Sequence, residues 1–131
     1  MYIPPGFNSI TPYFFVDRAE DFVGFLIHGL GGKETSRAMR PDGAIQNVQV
    51  QIGDSTVMVS QATDRYPPMA CAFYLYVSNA DQSVQQAISH GATLEMSVSD
   101  MPYGDRQGGV KDQHGNIWWI SQRIVEEPYS P

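Results

Sequence analysis

The sequence predicts an α+β fold built from two βαβββ units, and two observations carry that expectation. The hydrophobic pattern divides at Tyr66-Pro67-Pro68, and the two halves repeat one order of elements: strand, helix, three strands. Within the strand segments, apolar and polar residues alternate with a period of two, the signature of strands with one covered face and one open face. The 131 residues suffice for one core. A single domain over 1–131 is therefore expected, with units at about 8–64 and 69–125.

In the first half, Ile10 to Val16 reads as a strand, and Asp17 as the N-cap of a helix over Arg18 to Leu30. Phe22, Val23, Leu26 and Leu30 form its apolar stripe, and Gly31-Gly32 ends it. A short strand around Glu34 to Met39 follows, then a turn at Pro41-Asp42-Gly43. Strands over Ala44 to Ile52 and Ser55 to Gln61 come next, joined tightly by Gly53-Asp54. In the second half, Ala72 to Val77 is a strand, Asn79 or Asp81 caps a helix running to about His90, and Gly91 closes it. Thr93 to Val98, a strand after Tyr103-Gly104-Asp105, and Asn116 to Gln122 complete the repeat. The tail from Glu126 to Pro131 has no periodicity and reads as frayed or draped over a neighbour.

Splitting each strand by parity separates two faces. One collects Phe14, Val16, Val48, Val50, Ile52, Val57, Val59, Phe73, Leu75, Val77, Trp118 and Ile120, which the helices should cover. The other collects Thr11, Tyr13, Phe15, Asn47, Gln49, Gln51, Thr56, Met58, Ser60, Tyr74, Tyr76, Ile117, Trp119 and Ser121. A solvated sheet face normally carries Lys and Glu, and this one has neither. Its amides, hydroxyls and large aromatics suit a concave site that holds a ligand by stacking and hydrogen bonds.

Composition narrows the partners. Eight basic against 14 acidic residues leave a net charge of −6, which argues against a phosphate backbone and favours a neutral or cationic small molecule. No apolar run reaches membrane-spanning length, and MYIPPGFNS lacks the features of a secretory signal, so a cytoplasmic location is expected. Cys71, the one cysteine, lies in the apolar run MACAFYLYV and reads as a buried structural thiol. His28 and His90 fall late in helices and His114 in a turn, so none projects from an open-face strand.

These segments together resemble the vicinal oxygen chelate superfamily of glyoxalases, bleomycin-resistance proteins and ring-cleaving dioxygenases, and within it the PhnB-like branch. The matching pieces are PYFFVDRAEDFVGFL, NVQVQIGDSTVMVS, FYLYVSNAD, HGATL and YGDRQGGVKDQHGNIWWI, in the family's order and spanning most of the chain. The resemblance implies paired βαβββ units curved into a half-open mixed-sheet barrel around a small-molecule site. It also implies a homodimer, with units from both chains often completing each cleft. Metal-dependent members bind a divalent ion through four side chains, and the corresponding positions here fall near Thr11, Gln49, Ala72 and Trp119. Of these only Gln49 is a usual ligand, so neither a metal nor another cofactor is expected.

The favoured function is therefore a binding protein with a metal-free cleft for a small aromatic or cationic ligand, as in antibiotic resistance by sequestration. Its expected ligand contacts are Tyr13, Phe15, Asn47, Gln49, Gln51, Met58, Ser60, Tyr74, Tyr76, Tyr103, Arg106 and Trp119. The alternatives are a lyase, isomerase or group-transferase of the glyoxalase kind, or a dimeric interaction protein with a vestigial cleft. No catalytic residue is assigned, because the open face offers neither a metal to stabilise an oxyanion nor a carboxylate or histidine base. In residues 103–122, Asp112-Gln113-His114-Gly115 reads as the last hairpin turn. Tyr103-Gly104-Asp105 and Gly108-Gly109 are expected to bracket another, with Asp105 and Arg106 either paired with each other or hydrogen-bonded to backbone.

Overall fold

The computed structural model describes residues 1–130 and consists of two compact units that meet between Ala70 and Cys71. The first contains β1 (Tyr13–Val16), α1 (Ala19–Gly24), a π-helical segment (Phe25–Gly29), β2 (Lys33–Met39), β3 (Ile45–Ile52) and β4 (Ser55–Gln61). Its sheet has the order β1-β4-β3-β2, with β1 parallel to β4 and the other pairs antiparallel. The second contains β5 (Ala72–Tyr76), α2 (Ala80–Ser89), β6 (Thr93–Asp100), β7 (Asp105–Lys111) and β8 (Ile117–Arg123), in the order β5-β8-β7-β6. The expected βαβββ repeat is present in both: β5 is parallel to β8, as β1 is to β4.

The likeness of the units extends to single hydrogen bonds. Asp17 does not cap the first helix. Arg18 stands at the cap in a left-handed conformation with φ 50°, and its side chain makes no capping hydrogen bond. The Ala19 N–H instead donates to the Gln61 carboxamide oxygen at 3.0 Å. In the second unit the Ala80 N–H donates to Gln122 in the same way at 3.1 Å, and Asn79 accepts from the Gln82 N–H. The same sequence spacing separates Ala19 from Ala80 and Gln61 from Gln122. A glutamine on the last strand of each unit thus supplies an acceptor to an orphan helix donor, a role that local sequence cannot reveal.

The first helix also departs from regular α geometry after Gly24, where the Leu30 N–H bonds back to the Phe25 carbonyl. Phe22 and Leu26 remain fully buried against Val48, Val50 and Val59, and Phe22 lies 4.8 Å from Phe14 between ring centres. Gly32 closes this stretch because nothing larger fits: a Cβ there would stand 2.7 Å from Val50 and 2.8 Å from the Leu26 carbonyl.

In the second unit the core is built around Val84, Ala87, Val110, Trp118 and Ile120. Phe73 stacks on Trp118 with ring centres 4.8 Å apart, although Phe73 and Leu75, on edge strand β5, are only half-buried. Gly108 faces α2, where a Cβ would meet Val98 at 2.7 Å and Val84 at 3.0 Å. Gly109 faces the other way, under the Trp119 ring. The two glycines are therefore strand residues that let both layers approach β7, not the turn expected of them. The turn is instead Met101 to Gly104, and Gly104 has φ +94°. The Asp112–Gly115 turn forms as expected, with Gly115 at φ +87°.

Cys71 is exposed, in contrast to its expected burial, because it precedes β5; its N–H donates to the Asn116 side chain and its thiol reaches only the adjacent Ala72 carbonyl. No helix among the described residues is long and apolar enough to cross a membrane.

Candidate functional site

Alternation along β5 and β8 sends Tyr74, Tyr76 and Trp119 to the open face of the second unit. In the parallel register Tyr74 stands beside Trp119, and on the other side Trp119 faces Gly109 of β7. Because Gly109 has no side chain, the indole lies flat over the strand. Tyr74, Met96, Tyr103, Gln107 and Trp119 line an open cavity of about 340 Å³. Its walls are one thioether, three aromatic rings and one carboxamide, to which the Tyr103 hydroxyl donates.

Beside this cavity lies Asp105, fully buried at the start of β7. One carboxylate oxygen accepts from the Tyr74 and Tyr129 hydroxyls, each at 2.6 Å, and the other from Arg123 at 3.0 Å. Burial by itself would raise the Asp105 pKa, but the hydrogen bonds from Tyr129, Tyr74 and Arg123 outweigh it and hold the carboxyl below its usual value. Burial, reinforced by the neighbouring carboxylate, pushes the Tyr74 phenol up to about 12. Asp105 is therefore charged and Tyr74 neutral at neutral pH. By linkage, a depressed carboxyl pKa stabilises the fold above the unfolded value of about 3.9, and this contribution is lost as pH falls from there through the folded value. Wild type and Asp105→Asn, compared by urea unfolding, should accordingly converge in stability below about pH 4. A gap that stays constant down to pH 2 would contradict the charged, hydrogen-bonded state of Asp105.

Arg106 does not reach this face. It follows Asp105 on β7 and so projects to the side of α2, where it binds Asp81 at 2.7 and 3.0 Å and Asp100 at 2.9 Å. The expected Asp105–Arg106 pair is thus replaced by two separate ion-pair systems on opposite faces. Asp105 pairs with Arg123 instead.

The tail, expected to be frayed or draped over a neighbour, is held onto the open face of its own unit. The Tyr129 hydroxyl, which donates a hydrogen bond to Asp105, lies 2.6 Å from the Tyr76 hydroxyl, and its ring lies 4.2 Å from the Arg123 guanidinium. Sequence reading missed this contact, and the only available signal was a single tyrosine in a proline-flanked tail.

The open face of the first unit has related parts in a different arrangement. Tyr13 stands beside Met58 as Tyr74 stands beside Trp119. The Tyr13 hydroxyl bonds Ser60 at 2.6 Å, and Ser60 is itself buried and committed to the Gln46 carbonyl. Asn47 donates to Tyr13, and Phe15 stacks on Tyr66 with ring centres 5.4 Å apart. Thr11, Gln49 and Met58 join Tyr2, Ile3, Phe7 and their neighbours around a cavity of about 560 Å³. The N-terminal segment that covers this face is pinned by the Thr56 hydroxyl, which donates to the Gly6 carbonyl at 2.7 Å. Its aperiodic MYIPPGFNS gave no sign of the role. Gln51 is half-buried on β3 and lines neither cavity.

Of the four positions where the family resemblance implies metal ligands, Thr11 and Gln49 line the cavity of the first unit and Trp119 that of the second, and Ala72 opens β5. Threonine, alanine and tryptophan are not divalent-metal ligands of the usual kind. Among the described residues no group of three or more His, Cys, Asp or Glu converges in a way that could hold a metal ion. The residues present do not fit a metal at this place.

No family model matches the sequence. The chain is 27% identical over 132 residues to the uncharacterized protein Mb0911c of Mycobacterium bovis, covering 90% of this chain and 85% of that one. Among solved structures it is similar to TioX from Micromonospora sp. ML1, with a TM-score of 0.71 and 20% identity over 88% of this chain and all of the other. TnmS3, an antibiotic binding protein from Streptomyces sp. CB03234, has a TM-score of 0.67 and 19% identity over 88% of this chain and 97% of its own. A glyoxalase/bleomycin resistance protein/dioxygenase superfamily member from Sphaerobacter thermophilus has a TM-score of 0.67 and 16% identity over 88% and 98%. Two βαβββ units, each with its parallel outer strand pair and one helix-covered face, thus give this chain the fold of the glyoxalase/bleomycin resistance/dioxygenase superfamily.

Proposed function

We propose that this protein binds a planar aromatic small molecule on the open face of its second unit and holds it without chemical change. The observation that carries this reading is the open cavity in which Trp119 and Tyr74 stand side by side, with Tyr103 and Met96 completing its apolar lining and Gln107 as a polar contact. Aromatic walls of this kind bind flat rings by offset stacking and thioether contact. An aromatic ligand is favoured over a cationic one because the buried carboxylate beside the cavity, Asp105, is already paired with Arg123. A binding role is supported by the committed hydrogen bonds of Tyr74 and Asp105, which leave neither group free as an acid or base. The similarity to TnmS3, an antibiotic binding protein, points the same way, and sequestration of an aromatic antibiotic is the form this function would take.

Titration of the protein with a panel of planar aromatic compounds, naphthalene and polycyclic antibiotics among them, should give saturable quenching of tryptophan fluorescence. Trp119 is the responding indole, since Trp118 is buried in the core. No quenching with any member of the panel would overturn the proposal.

A further inference from the structure

The Tyr129 ring occupies a place that was built before it arrives. Asp105 and Arg123 are fixed by β7 and β8, and Tyr76 by β5. Tyr129, by contrast, follows Arg123 in a segment without regular structure, and residues 124–130 are all exposed. Its phenol donates to the buried Asp105 carboxylate, lies within hydrogen-bond distance of the Tyr76 hydroxyl and sets its ring against the Arg123 guanidinium. Besides Tyr74, Tyr103 and each other, the carboxylate and guanidinium thus engage a ring supplied from outside every helix and strand. Tyr74, which shares the same Asp105 oxygen, also lines the aromatic cavity, so the two places adjoin.

We propose that Tyr129 is an internal stand-in for the ligand: it occupies a phenol subsite formed by Asp105, Arg123 and Tyr76, and a hydroxylated aromatic molecule entering the adjoining cavity displaces the tail and takes its place. The inference rests on the aromatic-ligand reading above and narrows it to one chemical class. The subsite asks for a group that donates and accepts at one atom, because Asp105 can only accept and Tyr76, facing the same oxygen, has a proton to give. A hydroxyl meets both demands. A protonated amine has no lone pair for Tyr76, and a bare ring offers Asp105 nothing. A site built to hydrogen-bond a hydroxyl discriminates strongly against the analogue that lacks it. The tail itself is a competitor: if it is docked about nine-tenths of the time, the apparent affinity for an external phenol is reduced about tenfold.

Calorimetric titration of the full chain with 2-naphthol and with naphthalene tests this. Wild type should bind 2-naphthol at least about tenfold more tightly than naphthalene. Tyr129→Ala and Tyr129→Phe, both at an exposed residue, should tighten 2-naphthol binding about tenfold. Hydrogen exchange of residues 124–130 in the wild type should quicken when 2-naphthol is added. If the protein binds the two compounds equally, or if Tyr129→Ala weakens 2-naphthol binding, the stand-in role is wrong and the aromatic-ligand reading survives. If neither compound binds to wild type or to Tyr129→Ala, both readings fall.

Discussion

Asp112→Ala is expected to lower the free energy of unfolding by about 3–5 kcal/mol, because it orphans several buried donors at once. One Asp112 carboxylate oxygen accepts from the Trp118 indole N–H at 2.9 Å and from the Asn116 amide at 3.0 Å. The other accepts from the backbone N–H groups of His114 at 2.8 Å and Asn116 at 3.0 Å. Asn116 is fully buried and Trp118 nearly so, so water cannot replace the lost acceptor without opening the hairpin. Each unsatisfied buried donor costs about 1–3 kcal/mol, and partial relaxation keeps the sum below the arithmetic total. Asp112→Asn keeps the shape but turns an NH2 toward donors, and should cost about half as much. Urea unfolding at pH 7 checks both. A loss under about 1 kcal/mol for the alanine variant would mean that the turn is wetter than it looks.

The same clamp explains why the site is where it is. With the indole N–H of Trp118 tied to Asp112 and its ring stacked on Phe73, β8 cannot slip by one residue without exchanging the faces of Trp118 and Trp119. The hairpin at 103–122 is therefore structural in its turn and carries the proposed stacking residue in its last strand.

Much of this was legible from residue order. Alternation alone separates Trp118 from Trp119, Phe14 from Tyr13 and Phe15, and Val48 and Val50 from Gln49, since strand parity is a local property. The duplicated element order is equally local, being written in turn residues and apolar periods. What escaped depends on which distant groups meet. Gly108-Gly109 reads as a turn until α2 and Trp119 are seen pressing on its two sides. That misplaced turn put Arg106 into the cleft and left Asp105 looking like an exposed acid. Asp105 is buried only because residues of β5, β8 and the tail supply it with three donors, and no spacing encodes such a meeting. Both chain ends were unreadable for one further reason. Short aperiodic segments such as Tyr2 to Ser9 and Ile124 to Ser130 carry no pattern, although single side chains in each lie over an open face.

Trp119→Ala should weaken naphthalene binding about 30-fold, equivalent to about 2 kcal/mol, while lowering fold stability by no more than about 1–2 kcal/mol. The asymmetry follows from where the ring lies. Truncating a tryptophan in a closed core costs about 3–5 kcal/mol, but Trp119 is only half-buried and one side of its indole faces the cavity, so much of its surface is not yet buried by the fold. A ligand that stacks there completes that burial, and its loss appears in binding. Gly109→Ala separates the ring's position from its presence. The added Cβ would stand 2.6–2.8 Å from two carbons of the indole, too close to tolerate, and lifts the ring from the strand toward the cavity. Binding should therefore fall in Gly109→Ala although every aromatic residue remains. Calorimetry with naphthalene and urea unfolding of both variants decide the matter: a large stability loss with unchanged binding in Trp119→Ala would mean that the indole belongs to the core and that the ligand sits elsewhere.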